Sequence, residues 1–461
     1  MTHLPSFYKV NLYNELSRFG FKVKVLFISG GSVIRQGDFT GDLDKVLFDY
    51  EIVNEESTYE ERNKLGSAFN LLRAIRKTEA RAVLVGGWDY LEFWLALLNW
   101  KFKEKMVVVE SSVYEHDENS TIKNTIKKLF LSLTTGAVVS GRPHKQLVER
   151  FGYQKSVIIS GGVGLINKPS VRSVGADAQK KRSKLVYVGR LSEEKNVGFI
   201  LEAIDGVEGV EFHIVGDGPL KTTLMKNSPE NVIFHGYLSN DKAQKVMASS
   251  DILVLPSLSE TWGLVIDESV AIGTPVLVSD RVGCSEDLVK KFEVGEVFSC
   301  GNHADFRRKL DLLLFNLSFY KSACDRLPYD ELVQQQVLSY EKYSIDFIGF
   351  STNKGGAAIA AKRIFSVLKG KVRLRFYCMD IKGQPEENIY GPSKLSWTGN
   401  FFLRIFEYLL LKAIYPCSPV KVSLNMFGSS WVKRKVCESN SNVIYIQWVN
   451  NNTLSLKFLR N

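Results

Sequence analysis

Two glutamates, Glu260 and Glu268, flank Gly263 in the stretch DILVLPSLSETWGLVIDESVAIGTPVLVSD. An apolar run ends at Pro256, a short polar loop carries Glu260, and helical periodicity begins near Gly263. The first amides of a helix lack internal acceptors and its dipole is positive at that end, so the junction suits a phosphate. Gly263 has no side chain to block a ligand's approach. Glu268 falls about a turn and a half further on, its Cβ tilted back toward the helix start. Glu260 can therefore meet one end of an elongated ligand, and Glu268 can accept from ribose hydroxyls deeper along the helix. The spacing alone is a weak signal; strand, loop and helix in this order give it weight.

Two cations stand in a similar place. In LVYVGRLSEEKN, Arg190 and Lys195 follow the carboxyl end of a strand, where open α/β sheets bind ligands. Two readings stand: the pair grips a diphosphate, or it faces solvent beside Glu193 and Glu194. A third turn, in FHIVGDGPLK, places Gly216 and Gly218 between strand and helix, with Pro219 suited to a first helical position.

These turns need a sheet to hold them. From Phe21 to about Leu165 short β-branched runs alternate with helical patterns, and after a polar, basic stretch the alternation restarts with LVYVGR, VEFHIVG, NVIFHG, DILVLPS and TPVLVSD. Nearly all-apolar strands joined by helices imply parallel sheets covered on both faces. The expected architecture is α/β: two doubly wound domains, residues 1–166 and 185–343, joined by a linker at 167–184 and facing a cleft. A third α/β segment, 344–461, opens with DFIGFSTNKGGAAIAAKRIFSVL, another strand, glycine turn and Ala-rich helix, and is too short to complete a domain.

Bulk composition narrows the classes. Hydrophobic residues make up 45% of 461, and mean hydropathy is −0.07, as in water-soluble globular chains. The longest apolar runs, LEFWLALLNW and FEYLLLKAIY, fall short of the roughly 20 residues that span a bilayer. No signal peptide opens the sequence, so a cytoplasmic protein is expected. Six scattered cysteines without Cys-x-x-Cys spacing, and six histidines without ligand spacing, lead to an expectation of reduced thiols and no metal. A net charge of +10, carried by dispersed residues, favours anionic partners. TIKNTIKKLFLSL, from Thr121, alternates lysine with apolar residues: a helix lying on anionic lipid, or an amphipathic helix with its basic face in water.

The segment from Leu185 to about Tyr343 resembles the retaining glycosyltransferases of family 4, which have the two-domain GT-B fold. YVGRLSEEKN, IVGDGP, VIFHGYLSNDK, ASSDILVLPSLSETWGLVIDES and AIGTPVLVSD carry the likeness. It implies that Arg190 and Lys195 contact the diphosphate of a nucleotide-sugar. Gly263, Leu264 and Val265 would present backbone amides to it, and Gly216 lies in the donor-side turn. The resemblance also assigns Glu260 to the transferred sugar, Glu268 to the ribose and Tyr237 to the segment meeting the base. In the first domain the likeness is looser. HLPSFYKVNLYNELSRFGFKVKVLF resembles the family's first loop, helix and second strand, leaving the first strand upstream or absent. VVVESSVYEHDENS resembles a strand end where many relatives carry a histidine; here Glu110 and Ser111 occupy it, with His116 beyond, as acceptor-side candidates. STNKGGAAIAAKRI and NVIYIQWVNNNTLSLKFL resemble the start of a second such enzyme.

The family resemblance implies transfer of a hexose-type sugar from an NDP-sugar, with front-side departure and attack and without a metal cofactor. Partners would be a saccharide or lipid-linked saccharide and an anionic membrane surface, with no role for nucleic acid. The protein would be cytoplasmic or peripheral on the inner face of the plasma membrane, in surface polysaccharide synthesis. A sugar epimerase or phosphorylase on the same fold, or a non-catalytic partner subunit, is the alternative. The motif GDLD, Asp42 to Asp44, mimics a metal-binding Asp-x-Asp but reads as a solvated turn.

Overall fold

Strands that are apolar along their whole length must be covered on both faces, which forces helices onto each side of a parallel sheet. The computed structural model has this arrangement. It describes residues 1–33, 39–80, 82–115, 121–167, 169–173, 182–340, 344–352, 356–369, 372–381, 388–414, 427–439, 441, 443–446 and 453–455. Two compact units divide the chain, Met1–Val337 and Leu338–Asn461.

The first half of the larger unit contains α1 (Phe7–Arg18), β1 (Lys24–Ser29), β2 (Asp49–Asn54), α2 (Lys64–Lys77), β3 (Ala82–Val85), α3 (Leu91–Leu98), β4 (Glu104–Val109), α4 (Thr121–Ser132), β5 (Gly136–Val139), α5 (Arg142–Arg150) and β6 (Ser156–Ile159). β1 and β2 pair in parallel, and β3 to β6 form a parallel sheet in sequence order. Residues 1–3 lie between these sheets. The Thr2 amide donates to Leu26 O and its carbonyl accepts from Ile28, while the Met1 nitrogen donates to Leu84 O. These residues thus stand where the first strand was expected to be missing.

The second half contains β7 (Ser183–Val188), α6 (Val197–Ile204), β8 (Val210–Val215), α7 (Lys221–Lys226), β9 (Val232–Gly236), α8 (Asn240–Ala248), β10 (Ile252–Leu255), α9 (Leu264–Ile272), β11 (Val276–Ser279) and β12 (Gly295–Phe298). Its sheet runs β12-β11-β10-β7-β8-β9, all parallel. Strand order reverses between β7 and β10, the place where such sheets open a crevice for ligands. Every residue of β10 and β11 is buried. Each aliphatic side chain so removed from water contributes roughly 1.5–3 kcal/mol, which makes this pair the rigid support of the loops above it.

α10 (His303–Phe315), α11 (Leu317–Asp325) and α12 (Tyr329–Leu338) complete the unit. α12 returns to the first half: a Cβ placed on Gly162 would come within 2.3 Å of Gln336 Nε2. On α4 only Phe130 and Leu131 are buried, while Ile122, Ile126 and Leu129 are exposed beside its lysines, so its solvent face is not simply basic. Asp42 caps the Asp44 amide at 3.0 Å in an exposed turn, the arrangement expected of GDLD.

The smaller unit contains β13 (Ser344–Ser351), α13 (Gly356–Leu368), β14 (Arg373–Asp380), β15 (Ile389–Tyr390), α14 (Lys394–Ile414), α15 (Ser430–Cys437) and β16 (Val443–Ile446), with parallel order β15-β14-β13-β16. Phe347, Phe365 and Phe376 fill its core. Basic residues outnumber acidic ones most strongly beyond residue 340, so the charge is less dispersed than the overall count suggests. Among the described residues no helix is long and apolar enough to cross a membrane, and no cluster of His, Cys, Asp and Glu is suited to a metal ion. The described cysteines, 284, 300, 324, 378 and 437, are free thiols; Cys417 lies outside the described residues.

Candidate active site

The switch point sets the site. The β7 loop and the β10 loop leave neighbouring strands in the same direction and are strapped together: the Leu258 amide donates to Glu194 O at 2.9 Å, and Asn196 Nδ2 to Pro256 O at 3.4 Å. Asn196, with φ of 52°, ends a single helical turn, Glu193–Lys195. The Lys195 ammonium is thereby brought onto the Glu260 carboxylate as an ion pair, both side chains mostly sheltered. Sequence spacing had left Lys195 either in the cleft or in solvent; the fold places it in the cleft.

Glycines make this packing feasible. Gly216 has φ of 143°, and a Cβ there would come 1.8 Å from Gly189 O, so the turns after β7 and β8 touch backbone to backbone. Gly263 has φ of 99° and caps α9 in the left-handed region that disfavours L side chains. Behind it Trp262 is buried, its Nε1 donating to Asp267 Oδ2 at 2.8 Å. Burial pushes the Asp267 carboxyl up to about 7.

A cavity of about 290 Å³ opens between the two halves of the unit. Glu110, Arg190, Lys195, Glu260 and the start of α9, Gly263 to Val265, line it together with Tyr8. Glu110 immediately follows β4 and is ion-paired to Lys9 of α1, whose ammonium is nearly buried. Residues distant in sequence thus give a small volume with two cations, two carboxylates and a helix N-terminus. That set can hold an anion and orient a polar group beside it.

The other expected residues stand apart from this cavity. Glu268 is 8% exposed and accepts from Asn240 Nδ2 at 3.1 Å; burial raises its pKa and the Asn240 bond opposes the rise. Tyr237 follows β9 and is 48% exposed, Ser111 is half-buried, and neither lines the cavity. Gly216 acts beneath it through the contact with Gly189. His116 lies outside the described residues.

Sequence reasoning passed over Tyr8, Lys9 and His144. His144, on the first turn of α5, is fully buried and its Nε2 lies 2.8 Å from Thr261 O. Burial pushes its imidazole down to about 4, so the ring is neutral and donates this bond through Nε2–H. Beside it the Arg142 amide donates to Asp287 Oδ2 at 2.6 Å.

The family model described as Glycosyl transferases group 1 matches residues 174–323. A sulfoquinovosyl transferase, SQD2 of Arabidopsis thaliana, is 32% identical over 143 residues, 30% of this chain and 28% of its own. A phosphatidyl-myo-inositol mannosyltransferase of Mycobacterium leprae is 27% identical over 214 residues, 42% of this chain and 56% of its own. The chain therefore spans less than two thirds of the length of these curated relatives. Among solved structures, the apo form of the lipopolysaccharide outer core galactosyltransferase WaaB superposes with a TM-score of 0.53 at 16% identity, over 69% of this chain and 99% of its own. At that identity the likeness is one of fold, the GT-B arrangement of two doubly wound domains.

Proposed function

We propose that this chain, whose residues 174–323 belong to the Glycosyl transferases group 1 family, moves a sugar from a nucleoside diphosphate sugar onto an acceptor hydroxyl, with retention at the anomeric carbon. One observation carries this reading: the cavity at the strand-order reversal gathers Arg190, Lys195, Glu260 and the first residues of α9 on one wall and Glu110 on the other. Arg190, Lys195 and the amides at Gly263 to Val265 take the diphosphate and stabilise the charge that grows as the sugar departs, a contribution that does not require reorganisation at the moment of reaction. Glu260 faces the transferred sugar. The Glu268 carboxylate has one oxygen on Asn240 and keeps the other for a ribose hydroxyl. The acceptor attacks the face from which the diphosphate leaves, as in the family 4 enzymes.

Glu110, with Lys9 behind it, lies on the acceptor side. A lipid-linked saccharide at an anionic membrane surface is the acceptor we favour; the exposed Ile122, Ile126 and Leu129 beside lysines on α4 support it, as does the name of the phosphatidyl-myo-inositol mannosyltransferase. The reaction needs no metal cofactor in this reading. Incubation of the purified chain with UDP-glucose, UDP-galactose, UDP-N-acetylglucosamine and GDP-mannose tests it by release of the nucleoside diphosphate. Release from one donor, raised by a lipid-linked acceptor, is the expected result. Absence of release from all four, or an epimerised sugar without an acceptor, would overturn the assignment.

A further inference from the structure

His144 belongs to the first half of the unit yet its ring is enclosed by the second half. Its Nε2–H donates to Thr261 O at 2.8 Å, the carbonyl next to Glu260 in the chain. The ring lies 6.2 Å from that of Trp262, on the other side of Thr261. A Cβ on Gly283 would come 3.1 Å from His144 Cε1, and the Gly283 amide donates to Glu260 O at 3.0 Å. His144 therefore touches both neighbours of Glu260's backbone: the carbonyl that follows it and the glycine that bonds its own carbonyl.

The site on α5 is anchored rather than incidental. Asp287, from the second half, accepts from the Arg142 amide and lies 3.3 Å from Arg142 Nε. The helix start is thus fixed to the domain that carries Glu260, while the β5 strand preceding it belongs to the sheet that carries Glu110. A rigid imidazole inserted between these walls relates the position of one to the other. The alternative, a core histidine that merely fills space, would not require a hydrogen bond to the carbonyl of the residue that follows the cavity carboxylate in its loop.

We propose that His144 is a positioning residue: through Thr261 O it fixes the Glu260 loop against the opposite domain, so that the Glu260 carboxylate is aligned only when the two halves are closed. This rests on the transferase reading above. Loss of the bond should misplace a carboxylate without removing the diphosphate site, and misplacement of the order of 1 Å at a reacting centre can cost about a hundredfold in rate.

The test uses the full chain with His144→Phe, which keeps a ring but has no donor, His144→Asn, whose amide is too short to reach Thr261, and His144→Gln, which can place a donor near the Nε2 position. Two readouts are taken: kcat and KM for whichever of the four NDP-sugars the wild type turns over, and hydrogen exchange of the amides of residues 260–263 and 283. The expected result is a fall in kcat of about tenfold or more in the Phe and Asn variants with KM for the donor within about twofold, faster exchange at those amides, and recovery of both by Gln. Equal behaviour of Gln and Phe, a loss confined to KM, or unchanged exchange would overturn the proposal. If one donorless variant does not fold, the other decides. Wild-type protein inactive on every donor would defeat the transferase reading, and the exchange measurement would still decide whether His144 holds the loop.

Discussion

The two walls of the cavity are built on different principles. The wall from residues 183–298 relies on backbone: Gly216 against Gly189, Gly263 at a left-handed cap, two loops strapped by hydrogen bonds to main-chain carbonyls, and charges delivered beyond the ends of β7 and the fully buried β10. The opposite wall relies on side chains from separate elements: Tyr8 of α1 and Glu110 just after β4, with Lys9 behind Glu110 and His144 at the start of α5 reaching across to Thr261. Backbone amides and a helix terminus recognise any diphosphate, whereas a wall of side chains can be changed one residue at a time. Under the transferase reading proposed above, the contrast would assign donor chemistry to the first wall and acceptor choice to the second.

The largest effect should come from Glu260→Gln, which removes a charge from the ion pair with Lys195 and leaves the core untouched. Transfer should fall by about a thousandfold with an unchanged melting temperature. Steady-state turnover and a thermal scan check this together, and a variant that kept most of its activity would make the first wall a mere anion site.

Next in size is a pH effect across the two walls. His144 is neutral and buried, with its pKa down to about 4 from 6.5. Below pH 6.5 the unfolded chain takes up a proton that the native ring resists, so the wild type should lose up to about 3 kcal/mol of stability between pH 6.5 and pH 4. Full stability returns above pH 6.5. Denaturant melts at both pH values should show a smaller loss for His144→Gln; identical pH slopes would mean that the ring is not held neutral.

Arg190→Ala and Lys195→Ala sharpen the first wall alone. Each should weaken binding of UDP or GDP by about ten- to a hundredfold while leaving the free nucleoside little affected, because a charged hydrogen bond to phosphate contributes about 1.5–3 kcal/mol. Calorimetric titration distinguishes this from equal losses, which would relocate the diphosphate. The smallest effect is expected from removing residues 345–461. None of the described residues among them lines the cavity, and α12, which braces the first half, stays in a chain ending at Ser344. Turnover should remain within about twofold; a folded but inactive short chain would assign the smaller unit a part in the reaction.

The same contrast explains what could be read in advance. Arg190, Lys195, Glu260 and Gly263 lie in contiguous strand-turn-helix segments, and local chemistry announces such segments. His144 sits in GRPHKQ, an unremarked helix start, and nothing local ties it to Thr261, more than a hundred residues away. Lys9 reads as one basic residue on an amphipathic helix until the fold sets it under Glu110. Glu268 was legible as a residue on α9, but its burial against Asn240 depends on how α8 packs. Residues 1–3 were too few to read as a strand and become one element of the sheet only through β1 and β3.

The position of a bound nucleoside diphosphate tests the central claim most directly. A crystal structure of the full chain soaked with the UDP or GDP that binds more tightly should show the diphosphate on Arg190, Lys195 and the Gly263 to Val265 amides, with the ribose directed toward Glu268. A nucleotide bound elsewhere, or one whose phosphates avoid the α9 N-terminus, would contradict the account.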